Sequence, residues 1–168
     1  MILLHSFPPA VAPGARVLLL GSLPGAASLA AGEYYAHPRN AFWPLMQDLF
    51  GIHRDWPYAR RIEALTASGV ALWDVVASAR RPGSLDADIV PDSVIANDFS
   101  ALFTVHREIR HIFFNGAAAE ALFRRHVRPL PDWPPAQRLP SSSPAHAALS
   151  YAQKLAAWQA VREALQAA

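Results

Sequence analysis

Residues 16–22 read RVLLLGS, and four consecutive apolar side chains leave the segment no polar face. Side chains of an extended strand point alternately to opposite sides of its sheet. A strand apolar on both sides therefore needs a covering layer above and below, which is the usual condition of a parallel sheet. The same character recurs in VALWDVV (70–76) and HIFFNG (111–116), and AQRLP (136–140) is a short last strand. These are read as four strands.

The segments between them carry helical patterns. NAFWPLMQDLFG (40–51) has Asn40 near its start, Pro44 in an early turn and Gly51 as a stop. YARRIEALTASG (58–69) is amphipathic and ends at Gly69. DFSALFTVHREI (98–109) opens on Asp98, a suitable N-cap. AAAEALFRRHV (117–127) and YAQKLAAWQAVREALQ (151–166) complete the set, and the proline-rich RPLPDWPP (128–135) is a loop. Strands alternating with helices predict a three-layer α/β/α sandwich around a central four-stranded parallel sheet. A length of 168 residues fits one domain, residues 1–168.

Composition narrows the function classes. Hydrophobic residues make up 52% and charged residues 17%, which is globular and not disordered. The most apolar stretch, residues 17–32, is broken by Pro24 and by glycines and is too short to span a bilayer. The N-terminus lacks a basic segment followed by an unbroken apolar run, so no signal peptide is expected and a cytoplasmic location is. With no cysteine there is no disulfide, thiol nucleophile or cysteine-held metal. The net charge is only +2, but Lys154 is the single lysine and all other basic residues are arginine. Arginine forks suit phosphates and stack on bases.

Segments that follow the strands of a parallel sheet emerge at one edge, where ligand crevices form. Here they are GSLPG (21–25), VASARRPGSLD (76–86), NGAAAE (115–120) and SSSPAH (141–146), with EYYAHPRN (33–40) expected to lie over them. GSLPG is neither a dinucleotide fingerprint nor a phosphate-binding loop. No nucleophile elbow supports a serine hydrolase. The seven histidines are scattered without ligand spacing, so neither a metal nor another cofactor is expected. The aspartates in or beside these crevice segments are Asp74, Asp86 and Asp88. Small turns, rings, amides and hydroxyls remain, and a nucleobase is bound by such groups.

At this point the residues resemble a family. LLLGSLPGAASLAAGEYYAHPRNAFWPLM (18–46) resembles the first motif of the uracil-DNA glycosylase superfamily, and LPSSSPAHAALS (139–150) its second. GVALWDVVASARRPGSLDADI (69–89) and IFFNGAAAE (112–120) resemble the segments between. The likeness is strongest to the hypoxanthine-DNA glycosylase branch. The mismatch-specific uracil enzymes carry a catalytic Asn where this chain has Leu23, which cannot orient water. The hypoxanthine branch uses the Asn of its HPxN segment, here Asn40. His146 departs from that branch, which usually has Asn there.

The resemblance implies a monofunctional DNA glycosylase acting on DNA with a deaminated base, hypoxanthine first, with uracil or xanthine as the alternative. A nucleic-acid-binding module that kept the fold and lost the chemistry is the competing reading. Asn40 is the candidate catalytic residue, against a plain role as helix cap. Tyr35 is the stacking platform, used through its face, while Tyr34, Phe42 and Trp43 belong to the core. Gly21 and Ser22 line the base pocket. Asp74 either reads the base or caps a turn, and Asn115 either reads base or phosphate or caps the helix at Gly116. Ser141, Ser142, Ser143, Pro144 and His146 form the DNA-contacting loop. With no lysine near the motifs a Schiff base is not expected, and the protein is read as a monomer.

Overall fold

The computed structural model of the chain describes residues 2–167. In chain order its elements are β1 (Leu3–His5), β2 (Val17–Gly21), α1 (Ala26–Ala31), α2 (Phe42–Phe50), α3 (Tyr58–Ala67), β3 (Val70–Asp74) and β4 (Val76–Arg80). There follow β5 (Ile95–Ala96), α4 (Phe99–Val105), β6 (His111–Asn115), α5 (Ala117–His126), β7 (Ala136–Leu139) and α6 (Tyr151–Gln166). The strands β3, β2, β6 and β7 lie side by side in that order, every pair parallel. This is the expected four-stranded sheet, with helices on both faces.

The apolar run that announced β2 is explained by its position. Val17 and Leu19 enter a core layer shared with Met46, Leu49, Leu65, Trp158 and Val161 from α2, α3 and α6. Leu18 and Leu20 enter the opposite layer, with Phe99 and Leu102 of α4 and Ala119 and Phe123 of α5. All four are fully buried. Each such side chain withdrawn from water contributes about 1.5–3 kcal/mol before entropy is counted.

The helix ends obey local chemistry. Gly51 takes the left-handed conformation, at φ 70°, and its N–H returns to the Gln47 carbonyl. The Asp98 carboxylate accepts the Ala101 N–H at 3.0 Å, as an N-cap should. That helix is shorter than expected. It stops at Val105, because Ile109 turns into the core and the Arg110 N–H joins the Arg16 carbonyl at the entry to β6.

VALWDVV is not one strand. It breaks after Asp74, and Val76 begins a second, antiparallel sheet of order β1-β4-β5. The Val75 and Val76 N–H groups still bond the Gly21 and Ser22 carbonyls, while the Asn97 side chain holds the Asp74 carbonyl at 2.7 Å. The chain is thus bent away at the sheet edge, and the Asp74 side chain stays at the bend. Neither β1 nor the six-residue α1 was legible in the sequence.

Candidate active site

The carboxyl ends of β2, β3 and β6 bring Gly21, Asp74 and Asn115 to one sheet edge, and a cleft of about 440 Å³ opens over them. The GSLPG turn, the Tyr34–Tyr35 segment with His37 and Asn40, residues 84–87, and residues 141–146 form its walls. Every crevice segment expected from the sequence reaches it. Of VASARRPGSLD, only the far end does, because its first half is β4.

Gly21 admits no side chain. A Cβ there would stand 2.5 Å from Asp74 Oδ1 and 2.9 Å from the Tyr35 hydroxyl. These two polar groups therefore converge on the bare backbone of the strand end. Neither Tyr35 Oη nor Asp74 Oδ2 has a hydrogen-bond partner within the protein, though both atoms are buried. Leaving such groups unpaired is costly, so the pair is ready for a ligand.

Tyr35 reaches this position through strain. It is the one non-glycine residue with positive φ, 57°, among those described. A bulky residue in that region is an outlier whose cost is of order 1–3 kcal/mol. Its ring stacks on Phe42 with centroids 4.1 Å apart, so one face is already covered. Phe42, Tyr34 and Trp43 are buried, as expected. Trp43 Nε1–H bonds the Tyr34 carbonyl and the Tyr34 hydroxyl bonds the Pro8 carbonyl. The Tyr35 hydroxyl was not anticipated as part of the cleft wall.

Asn40 serves the backbone as well as the cleft it lines. Its Oδ1 accepts the Phe42 N–H at 2.9 Å, the first residue of α2. That bond fixes which end of the amide is oxygen and leaves the oxygen a second lone pair. The cap and the functional reading are not exclusive.

Ser142 joins three segments. Its N–H donates to Asn115 Oδ1 at 2.8 Å, its hydroxyl accepts from Asn115 Nδ2 at 2.9 Å, and its carbonyl accepts the Ala41 N–H at 2.9 Å. It is 1% exposed, so its side chain is taken up by Asn115, while the residue still lines the cleft. Asn115 is held by Ser142 and does not cap α5, whose start has no side-chain cap, so the capping alternative is corrected. Ser141, Ser143, Pro144 and His146 remain on the cleft rim. Ser141 packs over Gly116, where a Cβ would be 2.9 Å from its own.

Lys154 lies closer to this loop than its place in the last helix suggested. Its Nζ donates to the His146 carbonyl at 2.8 Å and the side chain is buried, so it fastens the loop backbone. It is not among the cleft-lining residues.

The electrostatics centre on two carboxylates. Burial pushes Asp74 up to about 7, the charge of Asp86 adds to this, and Arg81 opposes it. Asp86 is raised by partial desolvation of its carboxyl at the cleft wall, although the residue as a whole is exposed, against the pull of the Ser22 hydroxyl bond at 2.6 Å and of Arg81. The Arg81 guanidinium, itself buried, ties the carbonyls of Pro24 and Gly83 together across the cleft wall. Burial, then Asp74, keeps the Tyr35 phenol protonated well above its ordinary range. Neither Asp86 nor Arg81 has a role in the reading of the sequence, although Asp86 is one of the three crevice aspartates. Leu23, in place of a catalytic amide, is packed with Val76, Ala79 and Ile89. Among the described residues, no three His, Asp or Glu side chains cluster as metal ligands would, and no helix is long and apolar enough to cross a membrane.

Comparison with known proteins agrees with this architecture. The family model described as Uracil DNA glycosylase superfamily matches residues 8–166. A Methanosarcina barkeri protein named Hypoxanthine DNA glycosylase is 36% identical over 113 residues, 67% of this chain and 70% of its own length. One of the same name from Methanosarcina acetivorans is 34% identical over 116 residues, 68% of this chain and 72% of its own. A solution NMR structure from Methanosarcina acetivorans, of a protein assigned provisionally as a uracil DNA glycosylase, superimposes with a TM-score of 0.78 at 32% identity. That match covers 99% of this chain and 100% of the other.

Proposed function

The chain belongs to the uracil DNA glycosylase superfamily, and from that premise we propose that it extrudes a deaminated base from DNA, hypoxanthine first, and hydrolyses its N-glycosidic bond to leave an abasic site. The relatives named Hypoxanthine DNA glycosylase support the substrate. The observation that carries the reading is the convergence of Asn40, Tyr35, Gly21, Ser22, Asp74 and Asn115 on one cleft at the sheet edge.

In this reading the free face of Tyr35 stacks on the extruded base. Cleavage of the C–N bond builds positive charge on the sugar, as in glycoside hydrolysis. Such a centre needs a water held on the correct face more than it needs a strong base. The free lone pair of Asn40 Oδ1 accepts a hydrogen bond from that water. No step calls for a metal or organic cofactor. Ser141, Ser143, Pro144 and His146 meet the DNA backbone beside the cleft, with Ser142 acting beneath them. The protein works in this scheme as a cytoplasmic monomer.

The test uses duplexes bearing hypoxanthine, uracil or xanthine, with abasic sites revealed by alkaline cleavage. Hypoxanthine is expected to be released fastest. No abasic product from any of the three would overturn the proposal in favour of a non-catalytic DNA-binding module.

A further inference from the structure

A purine is a poor leaving group as an anion. Breaking its bond to the sugar places an electron pair on N9, which the imidazole ring shares with N7. A proton delivered to N7 lets the base depart neutral, and a positioned acid in the cleft would supply it. The cleft has one carboxyl suited to this. Asp74 is 4% exposed, its Oδ2 is buried without a partner, and it stands at the strand end beside the equally unpartnered Tyr35 hydroxyl.

We propose that Asp74 is a catalytic acid, giving its carboxyl proton to N7 of the extruded hypoxanthine as the bond between the sugar C1′ and N9 breaks. The electron pair of that bond goes to the base. Water adds its oxygen to C1′, and the proton it releases restores the Asp74 acid, so the cycle is balanced. This rests on the reading of the cleft as a hypoxanthine pocket.

The surroundings keep the proton available. Asp86 and Arg81, from the segment after β4, act on Asp74 with opposite charges, and Tyr34 and Tyr35, from the segment before α2, are the other titratable groups coupled to it. Burial and Asp86 outweigh Arg81, so the neutral acid persists to about pH 7. Paired carboxylates in unlike environments are a recurring way to keep one of them an acid. Asp86, bonded to the Ser22 hydroxyl, is the partner that keeps its charge more readily.

The test compares single-turnover excision of deoxyinosine and 7-deazadeoxyinosine from the same duplex, by the wild type and Asp74→Asn, between pH 5 and 9. The wild type should cleave the 7-deaza duplex at least about 100-fold more slowly, because it has no N7 to protonate. Asp74→Asn should slow deoxyinosine by roughly 10²–10⁴-fold and slow the 7-deaza duplex by a much smaller factor. The wild-type rate on deoxyinosine should fall as pH rises past neutrality, and the variant should lose that limb. A wild type that cleaves both duplexes equally overturns the acid role and leaves the hypoxanthine pocket intact. So does an Asp74→Asn protein with wild-type rate and pH profile. A wild type idle on deoxyinosine overturns the pocket reading and this proposal together.

Discussion

Gly21 shows how one residue decides what the cleft contains. Its missing side chain is where the Asp74 carboxyl and the Tyr35 hydroxyl meet. Gly21→Ala should displace both groups, cost about 1–3 kcal/mol from overpacking, and reduce excision more than the lost stability explains. Thermal melts beside single-turnover rates test this; an active, fully stable alanine variant would contradict it. Asp74 carries a second prediction, in pH. Its acid is held at about 7 in the folded chain against an ordinary 3.8. The folded state therefore binds the extra proton between those values. The stabilising contribution is complete below about pH 4 and is lost as pH rises through 7, amounting to up to roughly 4 kcal/mol. Asp74→Asn should flatten the decline of melting temperature from pH 4 to 8 and be the more stable protein at pH 8. A slope identical to wild type would show that the carboxyl is not buried as described.

At the scale of elements, the site depends on how three segments are fastened. Ser142 connects the end of β6, through Asn115, to the backbone just before α2. Ser142→Ala leaves Asn115 Nδ2 without its acceptor, and about 1–3 kcal/mol should be lost. Combined with Asn115→Ala, the two effects should fall short of additive by about 0.5–3 kcal/mol, a coupling measurable in a double-mutant denaturation cycle. Strict additivity would sever the link. These fastenings mark the limit of what the sequence displays. The strands β2 and β6 and the two-layer core were legible, because buried strands have an apolar signature that little else mimics. So was the set of loops around the cleft, which follows from parallel topology. Ser142 looked like any serine of a polar loop, since nothing in a sequence separates a hydroxyl facing DNA from one facing Asn115. The left-handed backbone of Tyr35 was hidden because no glycine marks it. Strand β4 was masked by its unbroken continuation from β3, where the turn at Val75 carries neither glycine nor proline.

At the scale of the whole molecule, the cleft opens at one end of the parallel sheet, with exposed Arg39 and the serine-rich rim beside it. If the rim and the arginines meet phosphates, affinity for DNA should fall linearly on a plot of log K against log salt; a flat plot would remove the rim from the DNA interface. The central claim, that this cleft excises a base with a water held by Asn40, is tested most directly by the single-turnover excision rate of Asn40→Ala, with DNA affinity and melting temperature measured on the same preparation. Losing the bond to the Phe42 N–H should cost about 1 kcal/mol of stability, while the rate on hypoxanthine should drop roughly 10²–10⁴-fold with DNA affinity nearly unchanged. A folded Asn40→Ala protein that releases hypoxanthine at close to the wild-type rate would contradict the account.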